Sequence, residues 1–144
     1  MHLAIIILSE SALPTATKIQ SAVGGQVHGL VRRVATDVPF DDTKAHVENL
    51  FSEGRPIIGV MASGTLIRLL APVLGDKRSE PPVIAVADDG SAVVPLLGGH
   101  HGANDLARQI GEALNVQAAI TTAGDVKFGI ALDAPPDGYT LGNP

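Results

Sequence analysis

The chain has 144 residues, 45% of them apolar and 17% charged, with a formal net charge of −5; it is the size of about one ordinary domain. This balance excludes a disordered chain, and the acidic excess leaves no basic footprint for a phosphate backbone. Three Phe, one Tyr, no Trp and no Cys exclude a base-stacking surface, a disulfide framework, a Cys-bound metal and a Cys nucleophile.

In chain order, Leu3 to Leu8 is a short Ile-rich run of the kind that sits in the middle of a parallel sheet. It lacks a basic leader and meets Ser9-Glu10 at once, unlike a signal peptide or a membrane span. The chain is therefore expected to be cytoplasmic and free of membrane and nucleic-acid partners. Ser9 and Ser11 are candidate caps for a helix over 11–23 that stops at Gly24-Gly25. Val27 to Val31 reads as a second strand. Asp41-Asp42 precede a helix carrying Ala45, Val47, Leu50 and Phe51, with the acids at the positive end of its dipole. Ile57 to Met61 is a third strand, Ala62 to Thr65 a sharp turn, and Leu66 to Leu74 a helix disturbed by Pro72. Val83 to Ala87 and Ser91 to Leu97 flank Asp88-Asp89-Gly90, a hairpin signal. Residues 103–114 carry the stripe Leu106, Ile110, Leu114, and Gln117 to Ile120 reads as a last short strand. Residues 1–130 are expected to form the domain, and 131–144, rich in Pro and Gly, a linker or the start of a following domain.

Strands alternating with helices predict an α/β layered sandwich, mostly parallel, with one antiparallel hairpin at 83–97. Ligands bind such sheets beyond the carboxyl ends of the strands, which directs attention to the loops after Leu8, Met61, Leu97 and Ile120. Ser63, Gly64 and Thr65 combine hydroxyls with a helix N-terminus suited to anions, and Arg68 lies one turn on; a tight capping turn without ligand explains them equally well. Gly98, Gly99, His100, His101, Gly102 and Asn104 put imidazoles and an amide in a glycine-rich turn, where His100 or His101 can act as acid or base and Asn104 can contact a ligand; the alternative is a glycine-rich turn with incidental histidines and Asn104 as a helix cap. Adjacent histidines diverge on most backbones, so no metal site is expected. Thr121, Thr122 and Asp125 can position a ligand or a water, or can simply form an Asx turn. His2, His28 and His46 read as ordinary surface or strand residues. The turns at Ser63, Gly98 and Thr121 are expected to meet at one rim and form a shared cradle.

Four blocks in order, Ala62-Ser63-Gly64-Thr65-Leu66-Ile67-Arg68-Leu69-Leu70-Ala71-Pro72, Asp88-Asp89-Gly90, Leu96-Leu97-Gly98-Gly99-His100-His101-Gly102-Ala103-Asn104-Asp105-Leu106-Ala107 and Ile120-Thr121-Thr122-Ala123-Gly124-Asp125, resemble the N-terminal domain of the cobalamin-biosynthesis G protein, cobalt-precorrin-5A hydrolase. The same domain occurs fused ahead of precorrin-3B C(17)-methyltransferase. Gly102 stands where that family has two glycines, and Gly124 where it has Thr; both departures look closer to the fused form. The resemblance implies a tetrapyrrole-precursor-binding domain in corrin-ring biosynthesis, as the N-terminal portion of the methyltransferase. The alternatives are opening of a δ-lactone on the macrocycle with loss of acetaldehyde, and a generic anion-binding domain. It implies His100 and His101 as catalytic candidates and Ser63, Gly64, Thr65, Arg68, Gly98, Gly99, Asn104, Thr121, Thr122 and Asp125 as ligand contacts. The partners implied are a corrin-precursor tetrapyrrole and a fused or separate methyltransferase. No cofactor is expected in this chain, with S-adenosylmethionine belonging to a methyltransferase domain.

Overall fold

A computed structural model describes residues 2–75 and 80–122. The elements are β1 (Ala4–Ile7), α1 (Leu13–Val23), β2 (Gln26–Leu30), β3 (Val38–Phe40), α2 (Thr43–Ser52), β4 (Ile57–Val60), α3 (Ser63–Leu70), β5 (Val83–Val86), β6 (Val93–Leu97) and α4 (Ala103–Leu114). They form one six-stranded sheet in the order β3-β2-β1-β4-β5-β6. Every pair is parallel except β5 with β6. The expected mostly parallel α/β sandwich with one antiparallel pair is the observed architecture.

The period of two along each strand distributes the core between two faces. Ile5, Ile7, Ile58, Val60, Ile84 and Val86 pack with Ala16, Ile19, Ala107 and Ile110 of α1 and α4. Ala4, Ile6, Ile57, Val83 and Ala85 pack with Val47, Leu50, Leu66 and Leu70 of α2 and α3. Helices cover both faces, so β1 must be apolar on both, and its four residues are fully buried. Branched aliphatics supply this core, each buried Ile or Leu worth about 1.5–3 kcal/mol of transfer free energy. Among the described residues no helix is long and apolar enough to cross a membrane.

Local chemistry sets the element ends. The Asp42 carboxylate accepts from the Ala45 N–H at 3.0 Å and caps α2. Gly24, with φ of 80°, ends α1. Four expectations need correction. Neither Ser9 nor Ser11 caps α1: their hydroxyls bond each other at 2.8 Å, and Ser11 donates to the Asp88 carboxylate at 2.6 Å. The expected turn over 62–65 is already helix, because α3 begins at Ser63 with the Thr65 N–H on the Ala62 carbonyl. Pro72 then confines α3 to Leu70, with a 3-10 turn following. Residues 117–120 do not form a strand, although the Ala119 N–H reaches the Val93 carbonyl at 2.8 Å. The three-residue β3 escapes a sequence pattern because it is short and contains Pro39, which is tolerated at the sheet edge. The 131–144 segment lies outside the described residues.

His28 is not an ordinary strand residue. It is 1% exposed on β2, and its Nδ1 lies 2.7 Å from Nε2 of His46 on α2. Phe40 stacks on the His46 ring with centroids 4.6 Å apart. The His28 Nε2 is buried without a hydrogen-bond partner. Burial foremost, then the neighbouring His46 and Arg55, lower the His28 pKa to about 4, with Asp37 opposing. Burial and Arg55 likewise hold His46 below its ordinary value against Glu53.

The unfolded chain therefore takes up this proton at a higher pH than the folded one. The stability contributed by neutral His28 is complete above pH 6.5 and is lost as the pH falls toward about 4, a loss of up to about 3 kcal/mol. Thermal unfolding followed between pH 7.5 and 4.5 should show the melting temperature falling below about pH 6.5. The His28→Leu variant should show a shallower fall, and equal slopes in both proteins contradict this account.

Candidate functional site

The antiparallel turn between β5 and β6 decides where the predicted loops lie. Val83 pairs with Ile57 on one side and with Leu97 on the other. The end of β6 is therefore level with the beginnings of β4 and β5. Ser63 follows β4 at the opposite, carboxyl edge, about 13 Å away across four strand residues. The expected shared cradle is not formed: Ser63, Gly64 and Thr65 lie at one edge of the sheet and Gly98 to Asn104 at the other. Arg68 does not bridge them. Its guanidinium folds back over Gly64, with Nη1 3.4 Å from where a Gly64 Cβ would lie.

The other two loops do meet. A cleft of about 200 Å³ at the amino edge is lined by Gly98, Gly99, His101, Asn104, Thr121 and Thr122, with Glu80 and residues 95–97 completing the wall. Gly98 adopts φ 79° and ψ 28°, and its carbonyl accepts from the N–H groups of His101 at 2.8 Å and Ala103 at 3.1 Å. These bonds close a 3-10 turn over Gly99–His101 directly before α4. The turn leaves His101 exposed at the cleft and places the backbone of His100 beside it. Asn104, 7% exposed in the first turn of α4, donates from Nδ2 to the Thr122 Oγ1 at 2.7 Å. The hydroxyl that accepts this bond keeps its own hydrogen for another acceptor. Asp125 lies outside the described residues. Among those described, no group of three His, Asp or Glu side chains could hold a metal ion.

Glu80 was not singled out by its sequence. It precedes Pro81-Pro82 in a polar stretch with no motif, and it becomes a cleft residue only because β6 returns to the start of β5. The only signal for it was the hairpin itself, which pairs the end of one strand with the start of the other.

A family model for the N-terminal region of cobalamin synthesis protein G matches residues 45–125, more than half of the chain. The chain belongs to the cobalamin synthesis G N-terminal family. It is 38% identical over 86 residues to the cobalt-precorrin-5A hydrolase of Priestia megaterium, covering 59% of this chain and 23% of that protein. It is 39% identical over 98 residues to the cobalt-precorrin-5A hydrolase of Salmonella typhimurium, covering 67% of this chain and 28% of that one. The chain thus spans about a quarter of the length of the curated relatives it matches. A solved structure of a cobalamin biosynthesis protein G homolog from Sulfolobus solfataricus superposes with a TM-score of 0.64 at 27% identity, over 83% of this chain and 36% of that one. Both curated relatives are hydrolases by name, which favours the hydrolase alternative over the methyltransferase reading.

The geometry of this family member's cleft makes Gly98 its least replaceable residue. A Cβ there would lie 2.7 Å from the Pro81 carbonyl and 2.8 Å from the Pro82 Cα, at a φ that side chains disfavour. Gly98→Ala should cost about 2–4 kcal/mol of stability. Gly99→Ala, whose nearest neighbour would be the Asn104 Nδ2 at 3.8 Å, should cost under about 1 kcal/mol. Urea denaturation of the two variants checks the contrast, and equal losses contradict it.

Proposed function

We propose that this domain supplies the substrate cleft for opening the δ-lactone of a corrin precursor, the reaction class of its cobalt-precorrin-5A hydrolase relatives. The observation that carries this reading is the meeting of His101, Asn104, Thr121 and Thr122 in one cleft. Hydrolysis of a lactone needs a base for water and a donor for the oxygen that becomes negative. The His101 imidazole takes a proton from water as the oxygen attacks the lactone carbonyl. The Thr122 hydroxyl, oriented by its bond from Asn104, donates to the developing oxyanion. Collapse of the tetrahedral intermediate breaks the ring C–O bond and leaves a carboxylic acid and an alkoxide, with the proton from water held on His101. Expulsion of the alkoxide carbon as acetaldehyde leaves its C–C electron pair on the macrocycle, which takes up a proton.

A second reading is a non-catalytic tetrapyrrole-binding role ahead of a methyltransferase, and it is the departures at Gly102 and Gly124 that favour it.

The deciding measurement is acetaldehyde release from cobalt-precorrin-5A incubated with the chain, read alongside the tetrapyrrole's visible spectrum. His101→Ala should lower release by about 100-fold or more, and Thr122→Val by about 10-fold or more. Release equal to that of the wild type in both variants overturns the assignment of roles. A wild-type chain that neither releases acetaldehyde nor alters the spectrum overturns the hydrolytic reading itself.

A further inference from the structure

Of the described residues that line the cleft, Glu80 alone carries a full charge, and no Arg or Lys stands among them. Its carboxylate belongs to a half-buried residue, and among the described residues no cation pairs with it. The hydrogen-bonding side chains beside it, the Asn104 amide and the Thr121 and Thr122 hydroxyls, are neutral. His101 must also be neutral to accept a proton from water. One positive influence opposes Glu80. The helix α4 starts at the cleft, and a helix N-terminus carries about half a unit of positive charge. Asp105 and Arg108, paired at 3.1 Å near the start of α4, cancel each other. The balance is a whole negative charge against half a positive one. The cleft is therefore a negative site, ill-suited to the ligand of a generic anion-binding domain.

We infer that Glu80 makes the cleft select a neutral ester over a carboxylate, so that the lactone is admitted and the acid formed on opening it is expelled. The inference rests on the lactone-opening reading and adds to it the charge class the site accepts and the force that clears it. Opening the ring converts a neutral ligand into an anion in place. The ring C–O bond breaks, the carbonyl carbon keeps the oxygen delivered by water, and the new carboxylic acid gives its proton to solvent. Before this change Glu80 faces a carbonyl dipole. After it, Glu80 faces a second full negative charge across the same small cleft. Like charges so close, in a site only partly screened by water, lower affinity by about tenfold or more. Glu80 is thus a specificity-determining residue that needs no contact with the reacting atoms. The same repulsion keeps any free carboxylate of a larger ligand out of the cleft.

The test titrates the 144-residue chain with δ-valerolactone and with 5-hydroxyvalerate, its opened form, following the amide shifts of His101 and Thr122. The wild type should bind the lactone about tenfold or more tightly than the hydroxy acid. Glu80→Gln keeps the size and removes the charge; it should bring the two affinities within about threefold by tightening the hydroxy acid. Circular dichroism verifies its fold. A second measurement needs no variant. Raising NaCl from about 20 to about 500 mM screens the repulsion and should tighten the hydroxy acid several-fold in the wild type while leaving the lactone unmoved. Equal affinities in the wild type, an unchanged ratio in Glu80→Gln, no salt response, or no shift with either probe overturns the inference. If the ratio collapses in Glu80→Gln while His101→Ala and Thr122→Val leave acetaldehyde release unaltered, the charge selection stands and the hydrolytic reading fails. If Glu80→Gln keeps the wild-type ratio while those two variants lose acetaldehyde release, the charge selection fails and the hydrolytic reading stands.

Discussion

Leu97 lies opposite Val83 because β6 runs against β5, and that single reversal positions nearly everything of chemical interest in this domain. A parallel sixth strand would have carried the Gly-Gly-His-His-Gly turn to the carboxyl edge, beside Ser63 and the hairpin at Asp88. The antiparallel one carries it to the amino edge, against Pro81 and Pro82. Gly98 is the point at which this constraint is felt, since the chain must pass a backbone it would strike with any side chain. The compact turn that follows starts α4 and holds Asn104 where it reaches Thr122.

The layers obey simpler physics. An Ile-rich central strand with helices on both faces leaves no polar side chain in β1, β4 or β5, and their buried residues are Ile, Val, Ala and one Gly. Among the described residues the buried polar side chains are Thr15, His28 and Asn104. Thr15 donates to the Asp88 carbonyl at 2.8 Å, tying α1 to the hairpin. His28 shares a hydrogen bond with His46 and sits behind Phe40. This pair fastens α2 to the outer strands, far along the sheet from the cleft, so it bears on stability rather than on the chemistry.

Family membership and geometry answer different questions. Membership comes from residues 45–125, a stretch that includes both ends of α3, the hairpin, the histidine turn and Thr121-Thr122. Within that stretch the fold separates two groups of residues that lie close in the list of motifs. Ser63, at the start of α3, belongs to the carboxyl edge near the switch point between β1 and β4, where doubly wound sheets commonly hold ligands. The histidine turn and its threonines belong to the other edge. The two edges cannot serve one small group at once.

Composition and periodicity by themselves determined the aliphatic core, the alternation of strands and helices, the Asp88-Asp89-Gly90 hairpin and the stripe of α4, because each is written locally in residues close in sequence. The same local signals failed for β3, too short and interrupted by Pro39, and for 117–120, where a single hydrogen bond to β6 does not make a strand. The histidine turn and the two threonines stand out in the sequence as candidates, but their meeting in one cleft depends on the reversal of β6 against β5. Only the tertiary structure decided that Ser63 stands apart, that Glu80 joins the cleft, and that His28 is buried against His46. Each of these depends on strand register and direction between segments far apart in sequence. Side-chain identity does not encode direction, and reversing one strand exchanges one edge of a sheet for the other.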